Sequence, residues 1–426
     1  MRHHRDDHGD DERQLRAAIL TALPGQVGNF ASATLLAVML GRWMQVEDFG
    51  AYAFAFHTVR ILAMVSVLGL NQGALRLIPR YRKLGHHDTI CGFVLGGAGL
   101  TVVVAIIVAL LAYGGTRLTV DAGSSHDALM QGLWLVPAMA IGLLLTGVLR
   151  SHGHILISTI AQGGVRDLAA VAIAWSLVSR TGSLDAEQGL LALGAAIALG
   201  IALQGLDLAS TRMLAHARPR LVPREWLTAS LPMAIAMVSR LVAMGGSVIL
   251  LRLMMGEQEA GLFHAAMVLA LAMLIPARGV MAGASPMLAH HADPGELPWF
   301  RRFYRTALRD TVVGGLVLAV LLAAGGHLLL GLFGPGYAAA YPVLLALVAA
   351  MLFQNTGFVA ASTLYLAGEG RQAAMLSLAS TTCGLVFAVI GIAASGMIGA
   401  ALAYLASRIL LAVAALALMR KHLRTA

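Results

Sequence analysis

The sequence predicts an all-α polytopic membrane protein, with about twelve transmembrane helices in two six-helix bundles that are parallel pseudo-repeats. Three observations carry that prediction. Of 426 residues, 58% are hydrophobic and 12% charged, with a mean hydropathy of +0.79; soluble domains carry about 25% charged residues. The apolar residues fall in runs of about 20, the length that crosses a hydrocarbon core as a helix. The basic residues alternate between successive connections, as a chain threaded back and forth requires.

Taken in order, apolar runs predict spans at 17–41, 50–75, 89–113, 127–149, 155–178, 188–211, 226–251, 259–283, 308–333, 338–366, 373–394 and 397–418. A polar tail, 1–16, precedes the first span; it has no cleavable-signal pattern, and its His and Asp residues suit a solvated segment better than a metal site. Residues 17–213 form the first bundle and 226–418 the second. The linker 214–225 carries Pro219 and Pro223, and 419–426 is a second tail. The halves echo each other weakly. Leu23-Pro24 opens the first span and Leu231-Pro232 the seventh, and the turn Met44 to Tyr52 (MQVEDFGAY) matches Met255 to Phe263 (MGEQEAGLF). An even number of spans per half makes the repeats parallel, an arrangement that places a substrate between two bundles near the midplane.

Orientation follows from the charges. The first tail and every second connection hold groups such as Arg76, Arg80, Arg82 and Lys83, or Arg301, Arg302, Arg305 and Arg309, while the alternate connections hold only Arg42, Arg117, Arg180 and Arg252. The positive-inside rule then puts both termini in the cytoplasm. The formal net charge of +9 is accordingly a topology signal and gives no reason to expect nucleic acid as a partner. Cys91 and Cys383 lie in different spans and make neither a disulfide framework nor a metal pattern; no cofactor is implied. Connections on the other side are short, which leaves no room for an external catalytic domain. The longest internal connection, Ala289 to Arg305, interleaves Trp299, Phe300, Phe303 and Tyr304 with arginines and reads as an anchor helix lying in the interface.

Arg60, Arg166, Arg240 and Arg408 each fall about half-way along an apolar run. A charge at that depth costs at least about 2.5 kcal/mol, so it usually faces a cavity or a partner. These positions imply a transporter with a cationic interior. On the second span His57 and Arg60 are one turn apart and are expected to share a face; on the seventh, Ser239 and Arg240 lie near mid-depth. Arg278 either lines the cavity or snorkels to the interface. Arg166 is followed by Asp167, but helix neighbours point about 100° apart and need not satisfy each other; Asp207 is an alternative partner. Arginine suits phosphate because its planar fork makes bidentate, charge-assisted hydrogen bonds and keeps its proton when desolvated. Gln26, Asn29 and Ser32 in the first span, Gln162 in the fifth, and Gln354 with Asn355 in the tenth supply amides and hydroxyls of the kind sugars need. Such residues also bridge helices, and for any single one of them bridging is the favoured reading.

Five stretches carry a resemblance: LGRWMQVEDFGAYAFAF (Leu40 to Phe56), LGLNQGALRLIPRY (Leu68 to Tyr81), LFGPGYAAAYPVLLAL (Leu332 to Leu347), LAGEGR (Leu366 to Arg371) and GMIGAALAYLASRILLAV (Gly396 to Val413). Together, in this order, they resemble the polysaccharide or oligosaccharide flippases of the multidrug/oligosaccharidyl-lipid/polysaccharide exporter superfamily. The resemblance implies a bacterial inner-membrane protein, not an enzyme, that moves a polyprenyl-diphosphate-linked glycan to the outer leaflet. Membrane lipids are implied as its surroundings, and a glycan polymerase or other assembly proteins as possible partners. It also implies a cavity lined by the first two helices of each half, the spans holding Arg60, Arg240 and Arg278, and an arginine in the fifth span, here Arg166. The first span lacks the charges usual in lipid II flippases. The drug-exporter branch relies on embedded carboxylates, of which only Asp167 and Asp207 lie well inside spans, leaving His57 as an alternative group for ion coupling. A multidrug or cation exporter and a membrane glycan polymerase are the competing readings.

Overall fold

The computed structural model describes the backbone of residues 3–119, 123–211, 218–290, 297–366 and 369–425, and side chains within 23–116, 123–211, 218–282, 300–302, 304–364, 369 and 371–423. Among these residues every regular element is helical. The side chains of the His- and Asp-rich tail and residues 214–217 of the linker lie outside the described residues.

Ten described helices are long and apolar enough to cross a membrane, with mean hydropathy from 1.3 to 2.7. The pair Ser124–Leu133 and Leu135–Ser151, bent by 49°, adds an eleventh. The last candidate, Arg371–Leu423, has 53 residues, about 80 Å of helix at 1.5 Å per residue and far more than one bilayer needs. It is broken at Ser395 (φ −148°, ψ 19°) and Gly396 (φ 60°, ψ −136°), so it is two spans. The described residues therefore supply the twelve spans that the apolar runs predict. Leu111, Leu328 and Val320 are 71%, 76% and 68% exposed, an outcome that water penalises and lipid does not.

The contacts divide into two compact units, Ser32–His264, and Met1–Ala31 with Ala265–Ala426. In the first, the elements after α1 (His3–Trp43) are α2 (Val46–Ser66), α3 (Leu70–Lys83), α4 (His87–Thr119), α5 (Ser124–Leu133), α6 (Leu135–Ser151), α7 (Ile155–Gln162), α8 (Gly164–Thr181), α9 (Ala186–Ser210), α10 (Pro223–Met255) and the start of α11 (Glu257–Ala270). The second unit holds the start of α1, the rest of α11, α12 (Leu274–His290), α13 (Leu297–Gly331), α14 (Tyr341–Leu366) and α15 (Gly370–Thr425).

Two features of the first unit position its polar side chains. The second span breaks between α2 and α3, where Leu68 (φ 52°) and Gly69 (φ 75°) are left-handed; Leu68 is the only non-glycine with positive φ among the described residues. A Cβ on Gly69 would sit 2.9 Å from the Ala234 nitrogen and closer still to the Ser230 carbonyl, so only glycine fits there. The second feature is the crossing of α2 and α11. A Cβ on Gly50 would overlap the Glu257 carbonyl, and one on Gly261 would overlap the Val46 carbonyl. Gly50 and Gly261 are the seventh residues of the two echoing turns, and each meets the carbonyl four residues before the other. The sequence echo is thus a local two-fold helix crossing of the small-residue type.

In the second unit, Phe300 and Tyr304 of α13 pack with Met281, Val359, Leu364, Ala373, Met419 and Leu423. This corrects the expectation of an anchor helix lying in the interface. The Arg-aromatic segment from Leu297 is the first part of α13, continuous with the ninth span, and at least these two aromatics serve the protein core because they fall on the helix face turned to α12, α14 and α15. Trp299 and Phe303 lie outside the described side chains.

Candidate functional site

In the first unit α2 and α10 run antiparallel. Gly245 of α10 lies against the His57 ring, and further along Ser230 and Ala234 lie against Gly69. That register sets Arg60 opposite the turn of α10 that contains Arg240. Both arginines are exposed. The Arg60 guanidinium lies 5.9 Å from the centre of the Phe56 ring, and Arg240 Nη2 donates to Met237 Sδ at 3.3 Å. Ser239 is buried beside it.

His57 departs from the expected shared face. It is buried, with Nε2 3.2 Å from His264 Nδ1 and the two rings nearly perpendicular at 5.0 Å. Three residues along a helix leave side chains about 60° apart. Where α10 covers one edge of α2, that angle sends His57 inward against Gly245 and leaves Arg60 outside.

Arg166 pairs with its neighbour after all. Its Nε and Nη2 donate to Asp167 Oδ1 at 2.9 and 2.7 Å, and the Ser32 hydroxyl donates to Asp167 Oδ2 at 3.2 Å. The helix breaks at Gly163 (φ −128°, ψ −97°) and restarts at Gly164, so Arg166 sits in a first turn, and its long arm reaches across the angle between neighbours to a buried carboxylate. Gln162 and Arg166 line one small cavity with Met139, Ala161, Ile197 and Ile201. Asp207, the alternative partner, is taken by His154 Nδ1 at 2.9 Å. Asp167→Ala is expected to lower stability by about 3 kcal/mol because it strands a partly buried guanidinium. The check is thermal unfolding in detergent, with Arg166→Ala/Asp167→Ala recovering most of the loss.

The second unit holds the remaining candidates. Arg408 of α15 is buried; its Nη1 donates to Gln354 Oε1 at 2.9 Å, its Nε to the Ser407 hydroxyl at 3.2 Å, and its guanidinium stacks 4.9 Å from the Tyr404 ring centre. Asn355 is buried and its amide donates to the Met273 carbonyl. Gln354 and Asn355 thus bridge helices in this structure. Arg278 is exposed on α12, next to Gly279, against which Leu23 of α1 packs. Gln26 and Asn29 are half-buried one and two turns beyond Leu23.

Sequence reading missed one feature. Arg76, Arg80, Arg224, Glu225 and Thr228 line a cavity of about 720 Å³ where the end of α3 meets the start of α10. One carboxylate is present, 3.7 Å from Arg80. The one-turn spacing of Arg76 and Arg80 was the available signal, but those residues read as topology charges; only the fold brings Arg224 to them. An N-terminal helix end adds partial positive charge there. Nearby, in the connection after α6, burial and then the charge of Arg82 hold His152 at about 4 against an ordinary 6.5. Its folded form resists protonation, so its contribution to stability is complete above pH 6.5 and is lost as pH falls through about 4. An NMR titration of His152 is expected to show a neutral ring at pH 5.5.

The sequence model of a family described as "polysaccharide biosynthesis protein" matches residues 16–289. No curated protein sequence matches the chain. Among solved structures, it is similar to a multidrug resistance MATE family transporter of the MOP superfamily in an inward-facing conformation, with a TM-score of 0.82 and 13% identity over 93% of this chain and 94% of that one. A MOP superfamily transporter from Pyrococcus furiosus matches with a TM-score of 0.72 and 14% identity over 96% of each chain. A Vibrio cholerae MATE transporter matches with a TM-score of 0.70 and 17% identity over 98% of each. At these identities the likeness establishes the fold.

Proposed function

Since the chain belongs to the polysaccharide biosynthesis protein family and has a transporter fold, we propose that it is a flippase for a polyprenyl-diphosphate-linked glycan. It carries the glycan from the cytoplasmic to the outer leaflet of a bacterial inner membrane, with both termini cytoplasmic, by alternating access of the bundles 17–213 and 226–418. The observation that carries this reading is the pair Arg60 and Arg240, exposed at one level of two adjacent spans. Lipid does not tolerate two guanidinium groups at that depth. In this reading they line a polar cavity, and phosphate oxygens are the groups their planar forks fit best.

In this reading the diphosphate first meets the cavity of Arg76, Arg80 and Arg224 and then passes to Arg60 and Arg240. In the other unit, Arg278, Gln26 and Asn29 are proposed as polar lining of that unit's own. Arg166, Arg408 and His57 are assigned lesser parts, because each is already engaged by Asp167, by Gln354 and by His264 respectively. A multidrug or cation exporter is the second reading, supported by the MATE structures. It needs a carboxylate free to bind a cation, whereas the Asp167 and Asp207 carboxylates are held by Arg166 and His154.

The deciding experiment is mass spectrometry of polyprenyl-diphosphate lipids from a deletion strain, with leaflet accessibility tested by a membrane-impermeant enzyme. A complete glycan unit accumulating only in the cytoplasmic leaflet is the expected result. An unchanged lipid pool with altered drug sensitivity supports the exporter instead.

A further inference from the structure

The first turns of α13 carry a second arginine cluster that the transport reading does not use. Arg301, Arg302, Arg305, Thr306 and Arg309 line a cavity of about 280 Å³. The opposite side of the same turns, Phe300, Tyr304 and Ala307, is buried in the core, so the arginine side points outward. Arg301 Nη2 donates to the Leu423 carbonyl, which ties the cluster to the end of α15. Arg309 shares its charge with Asp310 at 3.2 Å, and no carboxylate is among the cavity's lining residues.

Length places this cluster in the membrane. From Thr311 to Gly331, α13 contains no Asp, Glu, Lys or Arg; those residues rise about 31 Å, the thickness of the hydrocarbon core. The arginines before Thr311 therefore stand at the level of the headgroups. Directly in line with Arg302, Arg305 and Arg309 at helical spacing come Val313, Leu316 and Val320, which are 54%, 50% and 68% exposed. A cationic cavity that runs into an exposed apolar stripe matches a molecule with a phosphate at one end and acyl chains at the other.

We propose that this face of α13 is a binding site for an anionic membrane phospholipid. Its phosphate is held by Arg302, Arg305, Arg309 and the Thr306 hydroxyl, and its acyl chains lie along Val313, Leu316 and Val320. The site depends on the chain spanning a membrane and not on what the chain transports. The test is native mass spectrometry of the full-length protein in detergent, titrated with phosphatidylglycerol and, separately, with phosphatidylcholine. Wild type is expected to retain phosphatidylglycerol in preference to phosphatidylcholine. R302Q/R305Q is expected to bind phosphatidylglycerol about thirtyfold more weakly, and R302Q alone, useful if the double variant does not fold, about fivefold. R180Q/R218Q, an equal loss of charge elsewhere on the surface, is expected to bind as wild type. Equal retention of both lipids, undiminished phosphatidylglycerol binding by R302Q, or an equal loss in R180Q/R218Q overturns the proposal. So does displacement of the lipid by equimolar inorganic phosphate, which identifies a site for the free anion.

Discussion

Arg60→Ala and Arg240→Ala are each expected to cut export of the lipid-linked glycan by at least about tenfold, and together to abolish it. A hydrogen bond to a charged partner contributes about 1.5–3 kcal/mol, and each guanidinium offers the diphosphate a bidentate pair. Neither truncation is expected to lower thermal stability. Both side chains are exposed, and truncating an exposed side chain usually changes stability by less than about 0.5 kcal/mol. Arg60→Lys is expected to fall between wild type and alanine, because an ammonium keeps the charge and loses the fork. The measurement is leaflet-resolved lipid analysis in a deletion strain complemented with each variant, with membrane levels matched by immunoblot. Wild-type export by both single variants refutes a cationic transport cavity.

Gly50→Val is expected to have the largest effect on folding, a loss of at least about 3 kcal/mol, enough to remove most of the folded protein. The clash is with the Glu257 carbonyl and the Gly261 nitrogen of α11, and backbone has no rotamer with which to move aside. The crossing also sits beside an ordered cluster: Glu257 accepts from the Ser124 hydroxyl at 2.7 Å and the Ser125 amide at 3.0 Å, and lies 3.6 Å from Arg252. Forcing the helices apart disturbs that cluster as well. Gly261→Val is expected to do the same, since the crossing is two-fold. Gly28→Ala, where a Cβ meets nothing within 4 Å, is the control. Fluorescence-detected size exclusion and thermal unfolding of the three variants check the prediction.

The polar residues separate into those that the sequence pattern singles out and those whose surroundings only the fold reveals. Arg60 and Arg240 could be singled out because each interrupts an apolar run, and a charge in such a run is expensive in any packing arrangement. His57 sits in the same run by the same pattern, yet it is buried against His264, a residue 207 positions away whose proximity no local spacing reveals. Arg166 and Asp167 stand about 100° apart on one helix, yet the arginine arm is long enough to close the pair, as it is for Arg309 and Asp310. Arg408 read as a mid-membrane cation, but Gln354, Ser407 and Tyr404 close around it.

The sequence by itself determined that this is a helical membrane protein of about twelve spans, where its principal apolar runs lie, and which turns echo one another. Those properties depend on hydrophobic length and on the cost of charge in lipid, which act run by run along the chain. Only the tertiary structure decided which polar residues face outward and which satisfy one another. It also decided that the echoing glycines form a crossing, and that Arg76, Arg80 and Arg224 share one cavity. These depend on distances between helices remote in sequence, and a rotation of about 60° about a helix axis is enough to turn a residue from a cavity wall into a packed core.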